Sequence, residues 1–327
     1  MIKLAIIGSS WITEKFVDAA IASGEFELAG IYSRSISKAK NFLPSLQSKE
    51  CAFFDDLTTL AQDTRIDAVY VASPNSHHCE QACLLMEQGK HVICEKPLAS
   101  NAAQASKMFS VAKRNGVILF EAFKTEFLPN FIELKRNLPA VGRLRNVYLS
   151  YCQYSSRYQK YLNGENPNTF NPEFSNGSIM DIGYYCVSAA VSLFGKPESV
   201  LASAKLLNSG VDAHGSVILT YENFIVAIQH SKVSDGVIAS EIQGEDGAIV
   251  AEHFSECDGF SIQKKGEAPN FISLEQEENS MIYEALEFAE QIKKGDMWEA
   301  PIQRSLAVAE VITEVRKQTG VVFPADS

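Results

Sequence analysis

Apolar residues in the first third of the chain fall into short runs that alternate with stretches of helical period. Residues 3–7 form an apolar run that stops at Gly8, and residues 13–23 then place apolar side chains at 16, 17, 20 and 21, on one helical face. The alternation continues. Strands are predicted at 27–32, 52–54, 68–72, 91–94 and 117–120, and helices at 37–42, 57–62, 77–88 and 101–115. Pro44 is expected to disturb the helix that starts at Ser37. Gly89 and Gly116 stand where helix C-caps belong. Strand–helix alternation of this kind predicts an α/β doubly wound parallel sheet with helices on both faces.

Beyond about residue 122 the rhythm changes. A helix is predicted at 130–137 and a long strand at 144–154. Residues 155–178 are polar, aromatic and without a clear period, which points to a functional loop. A helix follows at 181–194, then strand-like runs at 199–206, 214–221, 224–230, 237–243 and 247–252, and closing helices at 280–294 and 302–318. The expected organisation is therefore a nucleotide-binding domain over 1–122 and an α+β domain over 123–327 with a large, mainly antiparallel open sheet.

Composition narrows the function classes. The 327 residues carry 29 Lys and Arg against 40 Asp and Glu, a net charge of −11, with 46% hydrophobic residues. That balance argues against nucleic acid as a partner, which requires a basic stripe, and against a polybasic membrane-surface protein. The first apolar run is shorter than a secretory signal needs, and no run reaches the roughly 18 residues of a membrane span. Seven cysteines, an odd number with no CxxC pair, suit reduced thiols and a cytoplasmic enzyme.

Three segments carry candidate chemistry. Gly8-Ser9-Ser10-Trp11-Ile12-Thr13 lies where a dinucleotide-binding turn belongs. Only Gly8 of the three-glycine pattern is kept, with Ser10 and Thr13 at the other two places, so an ordinary strand–helix turn fits as well. The second strand ends Ile31-Tyr32-Ser33-Arg34, with Lys38 a turn later. No carboxylate stands at Ser33 to bind a ribose 2′-hydroxyl, and Arg34 can pair with a 2′-phosphate, which favours NADP over NAD. The run Gly89 to Pro97 delivers Glu95 and Lys96 to the C-terminal edge of the sheet, where ligands bind in such folds. Lysine there can hold positive charge beside a developing alkoxide, and a cis bond before Pro97 would aim it.

With these segments the sequence resembles the glucose–fructose oxidoreductase / inositol dehydrogenase / rhizopine catabolism (Gfo/Idh/MocA) family, and in detail its dihydrodiol dehydrogenase-like branch and uncharacterised enterobacterial members. The resemblance rests on Asp67 to His78, Gly89 to Ala99, Glu121-Ala122-Phe123 and Gly177 to Tyr185, in family order and spacing. It implies a Rossmann-type first domain and a hydride transfer between nicotinamide and a sugar, polyol or vicinal diol. Lys96 matches the family's catalytic lysine. Asp181 matches its aspartate, and Tyr185 stands where many members have His and the dihydrodiol dehydrogenase-like branch has Tyr. Four residues apart, Asp181 and Tyr185 share a helical face. A phenol of pKa about 10 is a poor base at neutral pH unless a cation such as Lys96 lowers it, and Asp181 would orient Lys96 or a sugar hydroxyl.

Further expected cofactor contacts are Gly8, Ser10, Trp11, Ile12, Ser33, Arg34, Lys38, Ser73, Pro74, Asn75, His78 and Glu95. Glu121, Lys124, Arg157, Tyr158 and Tyr161 are candidates for the substrate, each equally readable as surface or packing. Open C-terminal sheets of the family also imply a homodimer. His77, His78, Cys79 and Cys83 lack the spacing of a zinc site, so no metal is expected. Two other classes stay open: a regulator that only senses dinucleotide, and a redox-assisted glycosidase.

Overall fold

In a computed structural model, which describes residues 1–42 and 51–327, the chain divides into two units. One comprises Met1–Lys124 with Glu277–Gln303, the other Thr125–Gln276 with Arg304–Ser327. Pro44 lies outside the described residues.

The first unit runs β1 (Ile2–Ile7), α1 (Trp11–Ala22), β2 (Phe26–Tyr32), α2 (Ile36–Phe42), β3 (Ala52–Phe54), α3 (Leu57–Gln62), β4 (Ala68–Val71), α4 (His78–Glu87), β5 (His91–Glu95), α5 (Ala102–Asn115) and β6 (Leu119–Ala122). Its six strands are ordered β3-β2-β1-β4-β5-β6, and every pair is parallel. Strand order reverses between β1 and β4, which places a ligand crevice beyond their C-terminal ends. Central strands covered on both faces read as unbroken apolar runs, and all four residues of β4 are buried.

Two boundaries differ from expectation for local reasons. α1 starts at Trp11 rather than Thr13, because the N–H groups of Thr13 and Glu14 both bond to the Ser10 carbonyl. β6 starts at Leu119 rather than Val117. Gly116 caps α5 in the left-handed conformation, and the Val117 N–H still bonds back to Ala112. Glu121 therefore lies within β6 and not after it.

The second unit contains α6 (Pro129–Asn137), β7 (Leu144–Cys152), α7 (Tyr158–Leu162), α8 (Tyr184–Phe194), β8 (Ser199–Leu206), β9 (Asp212–Thr220), β10 (Ile225–Ser231), β11 (Ser240–Gly244), β12 (Gly247–Ala251), β13 (Phe260–Lys264) and β14 (Asn270–Ile272). Its eight strands are ordered β14-β13-β12-β11-β7-β10-β9-β8. All pairs are antiparallel except β7 with β10. The helix expected from Asp181 begins instead as a π-helical turn, Ile179–Gly183, and becomes α8 only at Tyr184. The stretch Pro172–Phe194 is long and apolar enough to cross a membrane, but 83% of its most apolar window is buried inside the protein.

α9 (Met281–Lys294) belongs to the first unit and packs on α1, with Phe288 stacked on Phe26 at 6.0 Å. α10 (Glu299–Thr319) closes the helical set, and from Arg304 onward it belongs to the second unit. All seven cysteines are free thiols.

Candidate active site

In the first unit the site begins where β1 ends. Gly8 has φ +117°, and a Cβ there would lie 2.6 Å from the Ala72 carbonyl oxygen. Backbone approaches this closely only at glycine. α1 follows with Ser10 as its N-cap, extended in backbone and with no side-chain cap bond. Buried Thr13 fills the third glycine place, its Oγ1 3.4 Å from the Ser10 Oγ. The first N–H groups of this 12-residue helix and its dipole favour an anion there. Trp11 is exposed and Ile12 half-buried beside them. At the end of β2, the Ser33 N–H donates to Phe54, while Arg34 and Lys38 are exposed.

Ser73, Pro74 and Asn75 leave β4 half-buried. The Ser73 Oγ is buried with no hydrogen-bond partner among the described residues, a vacancy that costs stability unless a ligand fills it. A dinucleotide fits this set: a cradle that any Cβ would fill, an open helix N-terminus and an orphaned hydroxyl. His78, expected to line the nicotinamide side, is fully buried beneath this loop. Its Nε2 lies 2.8 Å from the Ser73 carbonyl and its Nδ1 2.9 Å from the Pro97 carbonyl, so it ties the loop after β4 to the turn after β5. Burial pulls its pKa down, against the two carbonyls.

That second turn is pinned from several sides. The Lys96–Pro97 peptide is cis. Tyr70 donates to Glu95 Oε1 at 2.5 Å, and the Lys96 N–H to Glu95 Oε2 at 3.3 Å. Tyr70 is itself buried and stacked on Phe16 at 3.9 Å. Burial and the Glu95 charge push its phenol well above the usual range, so it stays a donor. Burial also pushes the Glu95 carboxyl up, opposed by Tyr70, Lys96 and Lys124. Glu121, buried in β6, accepts from the Leu98 N–H at 2.8 Å. It braces the turn from within β6, where it was expected to follow the strand. Lys124 donates to the Ser280 hydroxyl at 3.2 Å. Lys96 stands half-buried at the sheet's C-terminal edge.

In the second unit the sheet grips the π turn almost residue by residue. Ser178 Oγ lies 2.8 Å from His230 Nδ1, and the Ile179 N–H donates to Asp212 Oδ2 at 2.7 Å. Asp181 is paired with buried Lys232. This partner differs from the expected Lys96 or substrate hydroxyl. Gly183 gives room for the His230 ring, whose Cγ would lie 3.0 Å from an added Cβ. The Tyr185 ring meets Tyr151 edge-on at 5.7 Å. Register explains the grouping, since His230 of β10 sits beside Tyr151 of β7 and Gly215 of β9. Tyr185 and Tyr151 line a cavity of about 530 Å³ with Gln153, Asp235, His253 and Ser255. Arg157 is exposed at the start of α7, and Tyr158 packs with Tyr161 and Phe170.

Sequence reasoning missed Tyr70, Tyr151, Asp212, His230 and Lys232. The available signal was weak: a polar residue ending each of two apolar strands, as with Lys232 after β10. Among the described residues no cluster of His, Cys, Asp or Glu is placed to hold a metal.

Comparison with known proteins adds a family and a fold. Residues 2–123 match the model of an oxidoreductase family with an NAD-binding Rossmann fold, and residues 139–250 match that of the GFO/IDH/MocA C-terminal domain. The chain is 51% identical over 327 residues to the uncharacterized oxidoreductase YgjR of Escherichia coli, covering 100% of this chain and 99% of that one. It is 46% identical over 328 residues to the scyllo-inositol 2-dehydrogenase (NADP(+)) IolU of Bacillus subtilis, with the same coverage. Among solved structures it superposes on KijD10, a 3-ketoreductase from Actinomadura kijaniata in complex with NADP and TDP-benzene. The TM-score is 0.87 at 21% identity, covering 97% of this chain and 98% of that one.

Proposed function

The chain belongs to the Gfo/Idh/MocA oxidoreductase family, and on that premise we propose that it is an NADP-dependent dehydrogenase or reductase. Its substrate is a sugar, polyol or vicinal diol, and Lys96 and Tyr185 handle the hydroxyl proton. Bound cofactor would supply the hydride acceptor or donor. The observation that carries this reading is the turn at Lys96. Tyr70 holds Glu95, His78 meets the Pro97 carbonyl and Glu121 holds Leu98. A surface lysine needs no such bracing, whereas a group that must meet a reacting oxygen does. The name of the 46% identical relative supports both a polyol substrate and NADP.

The residues divide the work. Gly8 and the start of α1 receive the pyrophosphate, and Ser73 and Asn75 border the nicotinamide. Arg34 and Lys38, exposed with no carboxylate at Ser33, take the 2′-phosphate. Tyr185 gives or takes the hydroxyl proton, a role worth about 10² to 10⁴ in rate. Copies pair through the open second sheet.

The test screens inositols, sugars and diols with both cofactors and measures binding of each. NADP is expected to bind at least about 10-fold more tightly than NAD, the value of a charge-assisted contact, and Arg34→Ala to erase that difference. Lys96→Met should abolish turnover while leaving NADP binding intact. Turnover unchanged in Lys96→Met rejects the mechanism. Firm dinucleotide binding with no turnover on any compound would instead make the protein a sensor.

A further inference from the structure

Lys232 is a buried lysine that no expected chemistry called for. Only 6% of it is exposed. Its main chain is fixed on both sides: its N–H donates to the Ala213 carbonyl, and its own carbonyl accepts from Ser155. From this fixed main chain its buried side chain meets Asp181 on the π turn. Immobilising a lysine in the interior requires a compensating charge. Here the carboxylate it meets lies four residues before Tyr185 on a continuous helical stretch.

We propose that Lys232 is a positioning residue for proton transfer at Tyr185, holding Asp181 in place and cancelling that carboxylate's charge beside the phenol. The inference rests on the proton-handling role given to Tyr185 above. An uncompensated carboxylate one turn away disfavours the phenolate, and a cation favours it. With both present the two effects offset, so Asp181 does not oppose the lowering that the proposed reaction draws from Lys96. Tyr151 on β7 meets the Tyr185 ring, and Cys152, Cys186, Asp235, Glu252 and His253 share its cavity. Asp212 on β9 and His230 on β10 hold the turn before it, through Ile179 and Ser178. Lys232 meets the Asp181 carboxylate directly and also acts on Asp212 through its charge, and removing Asp181 or Lys232 takes away charges of opposite sign.

The experiment titrates Tyr185 in the full-length protein by ultraviolet phenolate absorbance, subtracting the same variant carrying Tyr185→Phe. Lys232→Met should raise the midpoint by about one unit, and Lys232→Arg should restore it. Asp181→Asn should lower it. The double variant Asp181→Asn/Lys232→Met should return close to the wild type, as a cycle of coupled charges requires. Should Lys232→Met fail to fold, Lys232→Gln carries the same test, and a midpoint it leaves unmoved overturns the proposal. Midpoints that agree within a few tenths across the set overturn the proposal, as does a shift of the same sign for both single variants. The titration needs no substrate, so it separates this inference from the assigned reaction. If Tyr185→Phe and Lys96→Met keep full turnover, the assigned reaction fails whatever the titration shows.

Discussion

Asp212 and His230 lie 3.7 Å apart, both almost fully buried, and burial moves their pKa values in opposite directions. Asp212 is pushed up to about 6 and His230 pulled down to about 3, each mainly by desolvation. The signs follow from which state binds more protons. Between its ordinary value of 3.8 and about 6, folded protein binds the Asp212 proton more tightly than unfolded chain, so stability falls as pH rises. Between about 3 and 6.5 the unfolded chain takes the His230 proton first, so stability rises with pH. Each effect amounts to about 3–5 kcal/mol, and across the shared window they largely offset. Asp212→Asn should therefore unmask a stability that climbs steeply from pH 4 to 6.5, whereas His230→Gln should leave one that declines over the same span. Urea unfolding at stepped pH measures both, and parallel curves for wild type and variants would contradict the assignment.

Legibility differed at this scale by reach. Lys96, Asp181 and Tyr185 sit in segments whose local pattern and family resemblance single them out. Lys232, His230 and Asp212 acquire meaning only when β9 and β10 are laid beside the π turn, and nothing in the spacing of residues 178, 212 and 230 announces that. His78 and Glu121 were named, and the structure shows them bracing the loop and turn, a role that looks like a ligand contact in one dimension.

At the scale of elements, the parallel strands of the first unit and their helices were readable because each is short, apolar and closed by glycine or a polar break. β13 and β14 went unseen: FSIQK and NFI are brief outer strands with exposed polar ends, too short for a period to register. The π turn was invisible for a different reason, since a helix with one loosened turn keeps the same apolar pattern. One tight element junction is that between β1 and the segment after β4. Gly8→Ala forces a Cβ to within 2.6 Å of the Ala72 carbonyl at a φ of +117°. It should destabilise the protein by more than about 2 kcal/mol and weaken dinucleotide binding with it. Thermal unfolding and an NADP titration check this, and a variant that melts and binds like wild type would show that the strands do not need that proximity.

For the whole molecule, a charge of −11 argues against a nucleic-acid surface yet hides local positive charge. Arg34 follows β2 and Lys38 lies in the helix after it, while Lys96 stands at the end of β5. Connectivity matters more. β7 occupies the middle of the eight-stranded sheet, yet its neighbours are β10 on one side and β11 on the other. At least 70 residues of chain separate it from either partner. During synthesis β7 therefore leaves the ribosome long before anything exists to pair with it, with both hydrogen-bonding edges bare. Assembly of this sheet must wait for non-local closure, which is slow. In refolding followed by pulsed hydrogen exchange, amides of β7 should gain protection together with those of β10 and not before. Early protection of β7 alone would mean that it first pairs with something else. The strand that ends beside the candidate proton-transfer helix is thus one that must wait for distant chain before either of its edges is paired.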